Sequence, residues 1–163
     1  MYIPFDHLPG HARIWVYQAD RKLNSLELEI VKKQLLQFCE SWNTHGAGMP
    51  TSFDIRFDQV IILAVDESQL GTSGCSIDSS VRILKNLEQQ LQINLLDQGK
   101  VSHLLTDHDI EVSPLLAVKK KVSAGEINPS STVLNPIVSK KSDLENNWLI
   151  QAKESWLNKY FAN

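Results

Sequence analysis

The chain has little of what usually announces a function. Only two of its 163 residues are cysteine, Cys39 and Cys75, which excludes a disulfide framework. Its longest apolar run, Val60-Ile-Ile-Leu-Ala-Val65, falls far below the about 20 residues that span a bilayer. The opening Met1-Tyr-Ile-Pro-Phe-Asp6 lacks the charged start and long apolar stretch of a signal peptide. Together these features point to the cytoplasm, with both thiols reduced. Positive charge is also scarce. A net charge of −3 and a pI near 5.9 exclude the large basic footprint of a nucleic-acid binder. The one basic run, Lys119-Lys120-Lys121, sits in a helical stretch and reads as a solvated face. No repeat and no low-complexity tract is visible.

What is present suits a single α+β domain over residues 1–163. With 42% hydrophobic and 21% charged residues the composition is that of a globular protein. A chain of this length buries about two-thirds of its unfolded surface. The β-branched and aromatic stretch Arg13-Ile-Trp-Val-Tyr-Gln18 predicts a strand. Asn24 and Glu27 form a capping-box pair before Leu26, Ile30, Val31, Leu35, Phe38 and Trp42, which fall on one helical face. The breakers Gly46, Gly48 and Pro50 end that helix near Asn43. Phe53, Ile55 and Phe57 alternate with Asp54 and Arg56, predicting a strand with one wet face. A short gap leads to the apolar run 60–65, which reads as a central strand. A second helix carries Val81, Leu84, Leu87 and Leu91, and residues 100–106 supply a fourth strand.

This β-α-β-β-α-β order predicts a ferredoxin-like core over residues of about 12–106, an antiparallel sheet with both helices on one face. The rest, from about 107 to 163, is expected as a helical extension packed on it. Asp107-His108-Asp109 makes a turn, Pro114 starts a short helix that Gly125 ends, and residues 132–134 form a short strand. Ser142 and Glu145 offer another capping box. Trp148, Ala152, Trp156 and Tyr160 recur every four residues, predicting a C-terminal helix.

The richest candidate site is the turn Gly71-Thr-Ser-Gly-Cys-Ser-Ile-Asp78 that opens the second helix. Its glycines allow unusual backbone angles, and its hydroxyls and Asp78 are helix caps. Free amides and the dipole at a helix start hold anions and favour thiolate over thiol. Gly74, Cys75, Ser76 and Asp78 are therefore the candidate ligand-binding residues, with Cys75 the candidate nucleophile. A nucleophilic cysteine needs a base within reach. His7, His11, His45, His103 and His108 all fall in loops or at element ends, and His45 belongs at the opposite end of the sheet. Arg82 lies one residue further from Cys75 than a tyrosine-phosphatase loop places its arginine. No metal set stands out: Pro9 and Gly10 keep His7 and His11 off a common helix face, and His108 reads as a hairpin tip. Cys39 reads as packed and inert. Trp15, Trp42, Trp148 and Trp156 read as core or tail-docking residues.

Gly46 with Phe53-Asp-Ile-Arg56, then Ile62-Leu-Ala-Val-Asp-Glu67, Gly74-Cys-Ser-Ile-Asp78 and Ala152-Lys-Glu-Ser-Trp156, resemble a family of uncharacterised bacterial proteins of similar length that often carry an "ABC transporter ATPase" label. The resemblance spans most of the chain and implies no catalytic residues. Residues 60–67 do look like a Walker B strand. However, Gly-x-x-x-x-Gly-Lys-Ser/Thr is missing, so nothing cradles the β- and γ-phosphates, and ATPase activity is excluded. With no base, metal set or nucleotide loop, the residues point to a non-catalytic binding or interaction module without a cofactor. Its partner would be a protein or a second copy, with a small-anion site at residues 74–78. The alternative is a Cys75-dependent enzyme acting on a small anionic substrate.

Overall fold

A computed structural model describes residues 1–44, 47–69 and 74–161. Its organisation follows from one strand. Six consecutive apolar side chains leave no polar face to turn toward water, so both sides of that strand must be covered. In chain order the elements are β1 (Arg13–Gln18), α1 (Ser25–Ser41), the two-residue strands β2 (Asn43–Thr44) and β3 (Ala47–Gly48), β4 (Thr51–Arg56) and β5 (Val60–Val65). Then come α2 (Gly74–Leu91), β6 (Lys100–Leu104), β7 (Ile110–Pro114), α3 (Leu115–Ser123), β8 (Thr132–Leu134), α4 (Lys141–Asn146) and β9 (Leu149–Gln151). Every residue of β5 is 0% exposed.

β5 lies between β1 and β4 in an antiparallel sheet, with Leu63 opposite Trp15 on one side and Phe53 on the other. Alternation sends Ile61, Leu63 and Val65 to one face, where they pack with Val31 and Leu35 of α1 and Leu84, Leu87 and Leu91 of α2. Val60, Ile62 and Ala64 face the other way, onto Ile110, Leu134, Leu144 and Trp148. Ile110 and Leu134 belong to a second antiparallel sheet, of order β7-β6-β8-β9, Leu144 to α4 beside it, and Trp148 to the link from α4 to β9. The far face of this second sheet, with Val101 and Val133, is closed by Val118 of α3 together with Ile127, Ala152 and Leu157. The layers are thus helices, sheet, sheet and helix.

Local chemistry sets the element ends. Asn24 Oδ1 accepts from Glu27 N at 2.9 Å, and Asn24 N donates to Glu27 Oε1 at 3.0 Å, completing the expected capping box. Arg21 grips the same carboxylate with both guanidinium nitrogens, at 2.9 and 2.7 Å. Arg21 and then the Asn24 amide hold the Glu27 carboxyl at a pKa of about 2. At the β4–β5 hairpin, Phe57 and Asp58 both have positive φ, 58° and 52°. Tight hairpin turns favour this because it matches strand twist, although glycine or asparagine usually supplies it. At Phe57 the strained backbone lets the ring pack on Trp148, with centroids 6.0 Å apart.

Two expectations are corrected. The fourth strand forms as β6, but it pairs with β7 along one edge and with β8 along the other. Both its hydrogen-bonding edges are engaged, so it does not close the first sheet on β1 as a ferredoxin-like core would. The outer edge of β1 is met instead by Ile14 N donating to Ser139 O at 3.0 Å, and by the Ser102 hydroxyl donating to Gln18 Oε1. Nor does the C-terminus form a helix. Residues 149–151 are β9, and 3-10 turns at Ala152–Glu154 and Trp156–Tyr160 follow. Trp148 packs between the sheets whereas Ala152 packs under α3, so their spacing of four does not mark a shared face. In α4, Asp143 Oδ2 receives the Ser139 and Lys140 amides at 2.9 and 3.1 Å, in place of a Ser142–Glu145 box.

Because both faces of β5 are core, Ile61→Ala and Ile62→Ala should each cost about 2–5 kcal/mol in urea unfolding. A cost below about 0.5 kcal/mol for Ile62→Ala, the value of a surface position, would mean that the second sheet does not cover this face.

Candidate functional site

The site proposed from sequence falls at the start of α2. Helix α2 does begin at Gly74. Residues 71–73, His45 and Gly46 lie outside the described residues, as do the side chains of Cys75 and Ser76. Of the candidate ligand-binding residues, Asp78 alone has a described side chain, and it is exposed on the first turns of the helix.

One turn further along, α2 and the end of α1 enclose a groove of about 310 Å³. Ser79, Arg82, Ile83 and Asn86 line one wall, at spacings of three and four that place them on one helix face. Phe38, Ser41 and Trp42 line the other. The Phe38 and Trp42 rings lie 4.8 Å apart at 36°, and Trp15 backs Trp42 at 5.9 Å, which makes the floor rigid and apolar. Ser41 Oγ lies 3.3 Å from the Gln37 and Phe38 carbonyls and donates back to the last turn of α1. The Arg82 guanidinium has no hydrogen bond or ion pair with any described residue. An exposed cation with its N–H donors turned to the groove, flanked by Ser79 and Asn86 on the same helix face, is suited to a carboxylate or phosphate.

The remaining candidates are tied into the fold. Asp66 and Glu67, which complete the Walker B look of β5, face His11 Nε2 at 3.4 Å and Arg13 at 3.3 Å. Asp66 is held below the usual carboxylate range first by the Ser68 hydroxyl and amide, and then by His11. Lys100 is half-buried, and desolvation lowers its pKa. All of its reach is used at home, on Gln18 O, Asn94 O and Asn94 Oδ1. His103 is buried in β6 with Nδ1 unpaired, and burial keeps it neutral by lowering its pKa, against the pull of Glu111. His108 is exposed in the β6–β7 turn. Lys119 and Lys120 are exposed, while Lys121 bridges Glu111 and Glu126. Among the described residues, no three His, Cys, Asp or Glu side chains converge as metal ligands, and no helix is long and apolar enough to cross a membrane.

Arg82 stands out in the structure and not in the sequence, where its distance from Cys75 speaks only against a phosphatase loop. The signal present in the sequence is its place in the polar stripe Ser79, Arg82, Asn86; its apposition to Phe38 and Trp42 comes from helix packing.

Cys39 is 0% exposed, and burial pushes its thiol up to about 12. Three pH units above the ordinary 9.0 leave about a thousandfold less thiolate at neutral pH. Iodoacetamide pulses mapped by mass spectrometry should therefore find Cys39 unmodified in the native chain and modified in denaturant. Native-state alkylation of Cys39 at the rate of a free thiol would contradict its burial.

Neither a family model, nor a curated protein, nor a solved structure matches the chain.

Proposed function

We propose that this chain is a non-catalytic binding module that takes a small anionic ligand in the groove between α1 and the first turns of α2. The unpaired Arg82 guanidinium carries this reading. A cation at a groove wall, with hydroxyl and amide side chains beside it, lacks only the anion that would complete its hydrogen bonds. The Phe38–Trp42 floor favours a ligand with a flat apolar body behind its charged group, such as an aryl carboxylate or aryl phosphate. The turn at residues 74–78 then acts as the upper rim of the same site.

The finer reading of the fold supports this placement. We take β1 to α2 as the helix-covered part of a ferredoxin-like unit whose fourth strand has been drawn into the second sheet. Residues after about 107 are then an extension laid over the face that such a unit would leave open. Both faces of the first sheet are occupied, so binding is confined to rims, helix grooves and strand edges. A cytoplasmic setting suits a chain with a buried free thiol.

Thermal-shift titration with inorganic phosphate, phenyl phosphate and benzoate tests the proposal. The aryl anions should raise the melting temperature more than inorganic phosphate does. Arg82→Ala should weaken them about tenfold to a hundredfold, the loss of a charged hydrogen bond, and Arg82→Lys should recover part of it. Identical shifts for the native chain and Arg82→Ala would exclude the groove.

A further inference from the structure

β4 is the edge of the first sheet, and the cover on that edge stops partway along it. The chain's own first residues supply the cover: Tyr2 bridges Thr51 in parallel, Thr51 N donates to Met1 O at 2.8 Å, and Ile3 N donates to Thr51 O at 2.9 Å. Pro4, which has no N–H to continue a ladder, then leads into a 3-10 turn at Phe5–His7. Burial records the change. Thr51 and Ser52 are buried, whereas residues 53–56 are all half-buried. In an antiparallel pair, alternate residues direct N–H and C=O away from the partner. Since Thr51 directs both toward residues 1–3, Phe53 and Ile55 direct theirs to the same open side. The Ile55 amide is engaged by Asp54 Oδ1 at 2.9 Å, while among the described residues the Phe53 amide and both carbonyls have no strand to meet.

Beside this edge runs an open groove of about 730 Å³ between β4, α1 and the N-terminal turn. Its apolar wall is Phe53 and Ile55 with Tyr2, Phe5 and the 40%-exposed Leu36. Its charges are unequal in what they leave free. Asp54 pairs with Arg56, and Lys32 lies 4.0 Å from Glu29. Lys33 forms no ion pair among the described residues.

We propose that residues 53–56 of β4 are a strand-addition site that takes an extended peptide of another protein, apolar at alternate positions and bearing a carboxylate that meets Lys33. Main-chain bonds to the open side supply the attachment, and the groove reads every second side chain. Residues 1–3 already use the same device one step earlier along the edge. A second copy of this chain fits less well. Two-fold antiparallel pairing centred on Asp54 sets the two Asp54 carboxylates directly opposite, and like charges so placed are destabilising. Pairing shifted toward Thr51 meets the residues already seated there, and pairing centred on Ile55 needs the Ile55 amide that Asp54 Oδ1 holds at 2.9 Å.

The probe is a fluorescein-labelled octapeptide alternating Val with Glu and Thr, followed by anisotropy against the full chain. The expected result is saturable binding, with the Phe53 amide becoming protected from hydrogen exchange. Methylating three consecutive peptide nitrogens should weaken binding at least about tenfold. Lys33→Glu, at an exposed position that leaves the fold intact, should weaken it about fivefold to tenfold. Arg82→Ala should leave it unchanged, which separates this edge from the anion groove. Equal binding of the N-methylated peptide would overturn strand addition, as would absence of saturation. Concentration-dependent protection of Phe53 without peptide, with a dimer by light scattering, would overturn the choice of partner.

Discussion

Six apolar side chains in one strand must have apolar material on both faces of the sheet, and the rest of this structure follows from that demand. β5 meets it by standing between two helices on one side and a second sheet on the other. At about 25 cal/mol per Å² of buried apolar surface, a fully buried Ile, Leu or Val contributes about 1.5–3 kcal/mol. The strand is therefore a main anchor of the core, and its neighbours are arranged around it. β1 and β4 each hold one ladder to β5: β1 is apolar on both faces, with Trp15 and Tyr17 toward the helices and Ile14 and Val16 toward the second sheet, while β4 alternates Phe53 and Ile55 with Asp54 and Arg56. The Phe57 ring accepts a strained backbone because the hairpin it turns places it against Trp148 on the far side.

Much of this was legible in the residues. The Asn24–Glu27 box starts α1 as its side-chain chemistry requires, and Arg13–Gln18 and Thr132–Leu134 are strands where β-branched and aromatic residues predicted them. The unbroken run 60–65 also held a warning. A ferredoxin-like sheet has one open face, and a strand with no polar side chain does not tolerate one. The C-terminus misled for a different reason. Trp148, Ala152, Trp156 and Tyr160 imitate a helical stripe, but β9 and two 3-10 turns carry them to different layers, and long-range pairing with β8 decides the local conformation. β7 escaped notice because only Ile110 and Val112 face the first sheet, while Glu111 and Ser113 face α3 and make the segment look like a loop.

The functional consequence is one of access. With both sheet faces covered, the polar groups that the described residues leave without partners lie at helix grooves and strand edges. Arg82 is such a group beside the α1–α2 groove, and the outer side of β4 past Ser52 is another. The start of α2 at Gly74 was legible in the sequence. What gives it a neighbourhood is the packing of α2 against the end of α1, since helix–helix docking brings Phe38 and Trp42 opposite Ser79, Arg82 and Asn86. No periodicity within either helix reports that juxtaposition by itself.

The central claim is that the two sheets form one core around β5. Native-state hydrogen exchange across a denaturant series tests it most directly. The amides of β5, β6 and β8 should merge into one unfolding isotherm at the global free energy. If β6 and β8 open at a distinctly lower free energy while β5 stays protected, the second sheet is a separable layer and the account fails.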